Sequence, residues 1–160
     1  MSPTISRPSR AAAAARSLKA DPPPQPAQII SARELLERAE VRLRESDVVT
    51  DPTDEFSALY QAALRGAGAV LAVAERPTRR RGSRSAWMRL PQALPELTAW
   101  ASYFAGLSRL RADAEAGISS VSDDQIAALR PRVDEFLHVV EMEIDRREGG
   151  KSSNMPAGAA

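Results

Sequence analysis

Cysteine is absent from this chain of 160 residues, and histidine occurs once, at position 138. Structural zinc sites are built from sets of cysteine and histidine, and a Cys–His nucleophilic pair needs both residue types. The composition therefore excludes these two kinds of site, and we expect no metal and no cofactor. The absence of cysteine also suits a reducing compartment, so we expect a cytoplasmic protein.

Lysine is scarce as well, because nearly all of the positive charge is arginine and only Lys19 and Lys151 are lysines. The formal net charge is +1, which gives no overall attraction to nucleic acid or to a membrane. We also find no stretch as long and apolar as a membrane span, and we expect no membrane partner. Any electrostatic function must therefore depend on local clusters of charge.

The two ends of the chain differ in composition from the middle. Residues 1–30 hold six of the twelve prolines, an alanine run and several arginines, and this composition predicts a disordered extension. Residues 149–160 predict a second disordered tail. Residues 31–148 remain as one domain, a length that suits a single hydrophobic core.

Within residues 31–148 the apolar spacing is helical, without a strand pattern, and predicts an all-α, up-and-down bundle of four to five helices. We place the first helix start at Ser31, with Glu34 completing a capping box. The second helix starts at Asp51–Pro52, and the last at Ser122, with Gln125 as its capping partner.

Proline and glycine divide or shape the predicted helices. Pro91 and Pro95 separate a short helix from a long one, and Pro131 either kinks the last helix or starts a new one. In the second case Arg132 would lie in a first turn, where a helix favours anions. Gly66 and Gly68 predict close packing of a neighbouring helix.

The long third helix carries two apolar stripes. Leu97, Ala101 and Phe104 form one, and a second lies about 100° away: Trp100, Tyr103, Leu107 and Leu110. This helix is predicted to contact more than one neighbour, either at the centre of the bundle or with its second stripe on another protomer.

One basic cluster stands between the second and third helical regions, and it contains no acid: Arg76, Arg79, Arg80, Arg81 and Arg84. Arginine binds phosphate through paired hydrogen bonds, so the cluster is a candidate phosphate-binding loop. The alternative is a solvated loop, because no aromatic residue is interleaved for base stacking. The sequence leaves both interpretations open.

The chain resembles the HEPN domains (higher eukaryotes and prokaryotes nucleotide-binding), most closely their small actinobacterial branch. The resemblance covers about residues 31–147. It depends on the helix order and on four sequence features: Ser85-Ala-Trp87, Leu94-Pro-Glu-Leu97, Trp100-Ala101 and the segment from Arg132 to His138. Many HEPN proteins are dimeric, metal-independent ribonucleases with an arginine and a histidine on the last helix. The five residues between Arg132 and His138 match that spacing.

This resemblance implies a composite site at a two-fold interface, where His138 would exchange a proton and Arg132 would stabilise the phosphorane. Two functions therefore follow from the sequence, beside a third interpretation in which the protein is a purely structural dimer without a ligand. One is a non-catalytic module that binds nucleic acid, a nucleotide or protein and forms a homodimer, using the outward face of the last helix with His138, Val139 and Met142. The other is a metal-independent ribonuclease of the toxin kind, with a cognate antitoxin or another protein as partner.

Overall fold

The computed structural model describes residues 22–76 and 85–150, and within these two ranges the chain is helical and contains no strand. Five α-helices follow one another: α1 (Pro26–Glu45), α2 (Pro52–Ala74), α3 (Ala86–Ala93), α4 (Thr98–Glu115) and α5 (Asp123–Gly149). Short 3-10 turns at Ser46–Val48 and Pro95–Leu97 precede α2 and α4. The prediction of an all-α bundle is confirmed.

Helix α1 begins five residues before the predicted start at Ser31. Pro26 takes the first helical position, which suits proline, and the side chain of Gln28 accepts a hydrogen bond of 2.7 Å from the backbone N–H of Gln25. Ile29 is buried against the core, so packing extends the helix upstream of the predicted cap. The predicted helix start at Ser31 was therefore wrong, and most of the two predicted tails lies outside the described residues.

The other two predicted helix starts are confirmed. Asp51 caps α2 by accepting a hydrogen bond of 3.0 Å from the backbone N–H of Asp54. At α5, the Ser122 hydroxyl accepts from the backbone of Gln125, whose side chain accepts from the backbone of Ser122. These reciprocal bonds satisfy donors that a helix start leaves unpaired.

Helix α5 is continuous through Pro131, so the alternative in which proline starts a new helix was wrong. Proline removes one backbone hydrogen bond and costs about 3 kcal/mol in a helix interior. The core residues Leu129 and Val133 on either side are both buried. Pro131 itself is exposed, and we attribute the continuity of α5 to the burial of its neighbours.

Helix α2 is the centre of the bundle, because it contacts each of the other four helices. By length and composition, α2 could also cross a membrane. We had expected no segment of the chain to be that long and apolar. However, 67% of the most apolar 18-residue window of α2 is buried inside the bundle, as in the core helix of a folded domain. The packing of the bundle therefore accounts for the apolar character of α2.

An aromatic cluster joins α3, α4 and α5 beside α2. The rings of Trp87 and Phe104 stack with centroids 4.9 Å apart, and Phe136 lies 5.1 Å from Phe104. Trp87 donates a buried hydrogen bond of 2.8 Å from its indole nitrogen to the hydroxyl of Tyr60. That hydroxyl also lies 2.7 Å from the hydroxyl of Ser108, so its position is fixed from two helices.

Arg130 connects α5 to the turn that precedes α2. Its guanidinium donates to the carboxylates of Asp47 and Glu55 and, at 3.0 Å, to the hydroxyl of Ser46. Ser46 is fully buried, and its hydroxyl donates in turn to a backbone carbonyl. These contacts position the half of α5 that carries the candidate site.

Candidate functional site

Arg132 and His138 both lie on the exposed side of α5. Their side chains are 57% and 69% exposed, respectively. The stripe of α5 that enters the core consists of other residues: Ile126, Leu129, Val133, Phe136, Leu137, Val140 and Ile144. The two predicted catalytic side chains are therefore accessible from solvent in the single chain.

The two side chains do not converge within one copy of the chain. Because α5 is continuous, a separation of six residues turns them about 120° apart and places them about 9 Å apart along the axis. Each is paired with its own neighbour: Arg132 lies 3.5 Å from a carboxylate oxygen of Glu135, and His138 lies 3.9 Å from one of Glu141. Arg132 is also in the helix interior, where no free backbone N–H groups favour an anion.

His138 lines a shallow groove of about 210 Å³ between α1 and α5. Two leucines, Leu43 and Leu137, supply its apolar part, and three carboxylates supply the rest: Glu40, Asp134 and Glu141. Among residues 22–76 and 85–150, no arginine or lysine lines the groove. A phosphate that approaches His138 from this side would meet three negative charges, which repel it.

The charge of the chain is segregated between the described and the remaining residues. The described ranges 22–76 and 85–150 carry 13 basic and 20 acidic residues, a net charge of −7. The remaining residues carry 9 basic residues and a single acid, Asp21, a net charge of +8. The overall value of +1 therefore combines the acidic described ranges with basic segments in the rest of the sequence.

Of the predicted phosphate-binding cluster, only Arg76 lies within the described ranges, exposed just beyond the end of α2. Arg79, Arg80, Arg81 and Arg84 lie outside the described residues. The cluster therefore stays a prediction. The neighbouring part of the bundle is well anchored, because Arg89 of α3 makes two hydrogen bonds of 2.8 and 2.9 Å to the carboxylate of Glu75.

The outer side of α4 and α5 carries apolar side chains that the bundle does not fully cover. Tyr103 is 36% exposed and Met142 is 58% exposed. Trp100, Leu107 and Val139 are half-buried. The two helices touch where the rings of Trp100 and Phe136 lie 5.5 Å apart. We call these five residues, Trp100, Tyr103, Leu107, Val139 and Met142, the outer apolar face.

Within the described residues, no group of three or more acidic or histidine side chains is arranged to hold a metal ion. The acids of the α1–α5 groove do not form such a group. The described side chains that line the groove are three carboxylates, one imidazole and two leucines. This chemistry fits a cationic or basic ligand better than a polyanion.

The comparison with protein-family models gives a match over residues 46–141, to the family described as SAV_6107-like HEPN. The chain belongs to the HEPN family. The match spans α2, α3 and α4 and most of α5, and it includes both Arg132 and His138. No curated protein and no solved structure matches this HEPN chain significantly. The family supports the helical fold and leaves the activity open.

Reasoning from the sequence missed the acidic groove of this HEPN domain. Asp134 and Glu141 lie four residues before and three residues after His138, so helical spacing alone could have placed both carboxylates beside the imidazole. Glu40 comes from α1, and its approach depends on how α1 packs against α5. That contribution had no local signal in the sequence.

Proposed function

We propose that this HEPN protein is a cytoplasmic, non-catalytic binding and dimerisation module, and that its bundle associates with protein surfaces rather than with RNA. The observation that carries the proposal is the surrounding of His138 by Glu40, Asp134 and Glu141. A ribonuclease site needs a positive potential around its acid–base histidine, because the substrate and the transition state are anions. Within the described part of the chain, the side chains that line the groove beside His138 are three carboxylates and two leucines.

A second observation supports the binding part of the proposal. The outer apolar face lies next to the exposed side of α5 and combines aromatic, methionine and aliphatic side chains. Aromatic residues and methionine are enriched in protein–protein interfaces relative to other protein surface. Two copies that meet through this face would bury it, which gives the homodimer of the proposal.

Ribonuclease activity remains the second candidate, and one specific observation favours it. Arg132 and His138 are both exposed on α5, inside the part of the chain that matches the family. Two copies could therefore combine the Arg132 of one with the His138 of the other. In that arrangement His138 would exchange a proton with the ribose hydroxyl, and Arg132 would bind the phosphorane oxygens.

Cleavage of a labelled, structured RNA in EDTA separates the two functions. The purified protein is compared with His138→Ala and Arg132→Ala, prepared identically and checked for folding by circular dichroism. We expect the wild-type protein to leave the RNA intact while a known metal-independent ribonuclease cleaves it under the same conditions. Cleavage by wild type that both substitutions abolish would overturn the proposal.

Mixing the two variants tests the composite site directly. If an active dimer takes one residue from each chain, heterodimers of His138→Ala and Arg132→Ala regain one intact site. Activity that returns in the mixture would establish the ribonuclease. Equal cleavage by wild type and both single variants would instead point to a contaminating nuclease, and we would repeat the assay after further purification.

A further inference from the structure

The two halves of α4 are held to the bundle in different ways. In the first half Phe104 is fully buried, and its ring stacks on Trp87 and lies 5.1 Å from Phe136. Of residues 107–116, all of which the structure describes, only Ala114 is buried. An alanine removes little apolar surface from water, so burial stabilises the second half of α4 far less than the first.

Polar contacts to α2 hold the second half of α4 in place. The hydroxyl of Ser108 lies 2.7 Å from that of Tyr60, and the guanidinium of Arg111 lies over the Tyr60 ring, 4.9 Å from its centre. Ser57 of α2 donates a hydrogen bond of 2.8 Å to the carboxylate of Glu115. Polar contacts near solvent contribute little stability each, because water competes for the same groups.

A glycine stands at each end of this segment. Gly117 follows it with a φ of +72°, a backbone conformation that favours glycine. Gly106 precedes it inside α4, where a glycine weakens a helix because its backbone loses more freedom on ordering. A Cβ atom added at Gly106 would meet no atom of the described residues within 4 Å, so packing does not require glycine there. Residues 107–116 therefore lie between two positions where the backbone bends readily.

The ends of α4 add little to its stability. Among the described residues, no side chain caps its N terminus, and its last turn holds no basic residue to offset the helix dipole. By contrast, α2 and α5 begin at the capping side chains of Asp51 and Ser122. A helix as short as residues 107–116 is marginal in water on its own, so the segment loses its helical hydrogen bonds once it leaves α2.

We propose that residues 107–116 are a hinged lid, which opens from α2 about Gly106 and Gly117 while the rest of the bundle stays folded, and which a second copy on the outer apolar face holds closed. Leu107 belongs to that face and moves with the lid, whereas Tyr103 stays with the first half of α4. The open chain therefore presents an incomplete face, and association of two copies favours the closed lid. The closing by a second copy rests on the dimerisation proposed above, and the hinge does not.

Amide hydrogen exchange of the full-length protein, resolved along the chain by NMR, tests the hinge. We expect the amides of residues 107–116 to exchange through an opening that urea hardly promotes, about tenfold or more faster than the core amides of α2 and α5. Gly106→Ala should slow exchange in the lid by about two- to fivefold, because alanine favours the helical form. Gly68→Ala, the same change inside α2, should leave exchange in the lid unaltered. Exchange in the lid at the rate of the core amides, or equal slowing by both variants, would overturn the hinge.

Two arginines of the lid form a matched pair of substitutions. Arg111 lies over the Tyr60 ring of α2, whereas Arg109 is 91% exposed and faces Asp113 of its own helix. Arg111→Ala should speed exchange of residues 107–116 by about two- to fivefold, since the contact of the guanidinium with the ring stabilises the closed form. Arg109→Ala should change that exchange little. Equal effects of the two substitutions would show that contacts to α2 do not hold the lid, which contradicts the proposal.

A concentration series tests the closing of the lid by a second copy. Exchange of residues 107–116 should slow as light scattering shows the dimer forming, and Tyr103→Glu with Met142→Glu should remove this dependence. A dimer that forms without slowing the exchange would overturn the closing by a second copy. A chain that stays monomeric would instead contradict the proposed dimerisation, and with it the closing, while the glycine and arginine variants still decide the hinge.

Discussion

At Gly66 the backbone of α2 lies against the side chain of Leu137 on α5. A Cβ atom added at Gly66 would lie 2.5 Å from a terminal carbon of Leu137 and 3.5 Å from the ring of Phe136. Gly68, two residues later, is different, because its nearest neighbour would be Leu35 at 4.0 Å. Sequence reasoning predicted close packing at both glycines, and only Gly66 requires it.

We expect Gly66→Ala to be less stable than Gly68→Ala by about 1–3 kcal/mol in free energy of unfolding, the usual cost of overpacking a core. The two variants share the same gain of up to about 1 kcal/mol in helix propensity, so each is the control of the other. Urea unfolding followed by circular dichroism measures the difference. Two variants of equal stability would mean that Leu137 moves aside at little cost.

Tyr60 is a second residue with a definable contribution, because its buried hydroxyl accepts the indole N–H of Trp87. We expect Tyr60→Phe to reduce the free energy of unfolding by about 1–3 kcal/mol, since the indole donor is left buried without a partner. Tyr103→Phe is the matched control, as Tyr103 is partly exposed. A loss for Tyr103→Phe as large as for Tyr60→Phe would contradict this role of the Tyr60 hydroxyl.

At the scale of the elements, the sequence predicted those features that local residues determine. The starts of α2 and α5 follow from Asp51 and Ser122, whose side chains cap the helix ends. The start of α1 and the path of α5 through Pro131 were not predictable in this way, because both depend on core packing between elements. A capping box at Ser31 and Glu34 is a valid local signal that the burial of Ile29 overrides.

Near the C-terminal ends of the two helices, Arg147 of α5 joins α5 to α2 and also forms a partly buried ion pair with Glu143 of its own helix. Arg147 donates to the carboxylate of Glu143 at 2.9 Å and to the backbone carbonyl of Val73 at 3.3 Å. Burial alone would raise the pKa of Glu143. The hydrogen bonds from Arg146 and Arg147 outweigh burial and lower that pKa below its ordinary value of 4.5.

We therefore expect Glu143→Gln to destabilise the protein at neutral pH, by about 1–2 kcal/mol for charge-assisted hydrogen bonds. The pKa of Glu143 is lower in the folded state than its ordinary value of 4.5. The ionised carboxylate therefore stabilises the folded protein at pH values above that ordinary pKa, and this stabilisation is lost as the pH falls below it. Urea unfolding at about pH 7 and about pH 3 tests this sign. Glu135→Gln, in an exposed pair with Arg132, serves as control and should change little.

On the scale of the whole molecule, charge and apolar surface have separate locations. The bundle is acidic, the basic residues in excess lie outside the described ranges, and the outer apolar face lies on α4 and α5. Sequence reasoning located His138 on an outward face of the last helix. It missed the acidity around His138: the spacing of Asp134 and Glu141 was a local signal, whereas Glu40 enters only through tertiary packing.

The outer apolar face predicts the oligomeric state. We expect the protein to elute as a dimer in size-exclusion chromatography with light scattering, and Tyr103→Glu with Met142→Glu to shift it to monomer, since a charge buried in an apolar interface costs several kcal/mol without a partner. Met88→Glu is the matched control, because Met88 is 60% exposed and lies on α3. A wild-type monomer at high concentration would contradict dimerisation, and a dimer that survives both glutamates would place its interface elsewhere. Far-ultraviolet circular dichroism checks that the double variant keeps the helical bundle, so that a monomer reports the loss of the interface rather than unfolding.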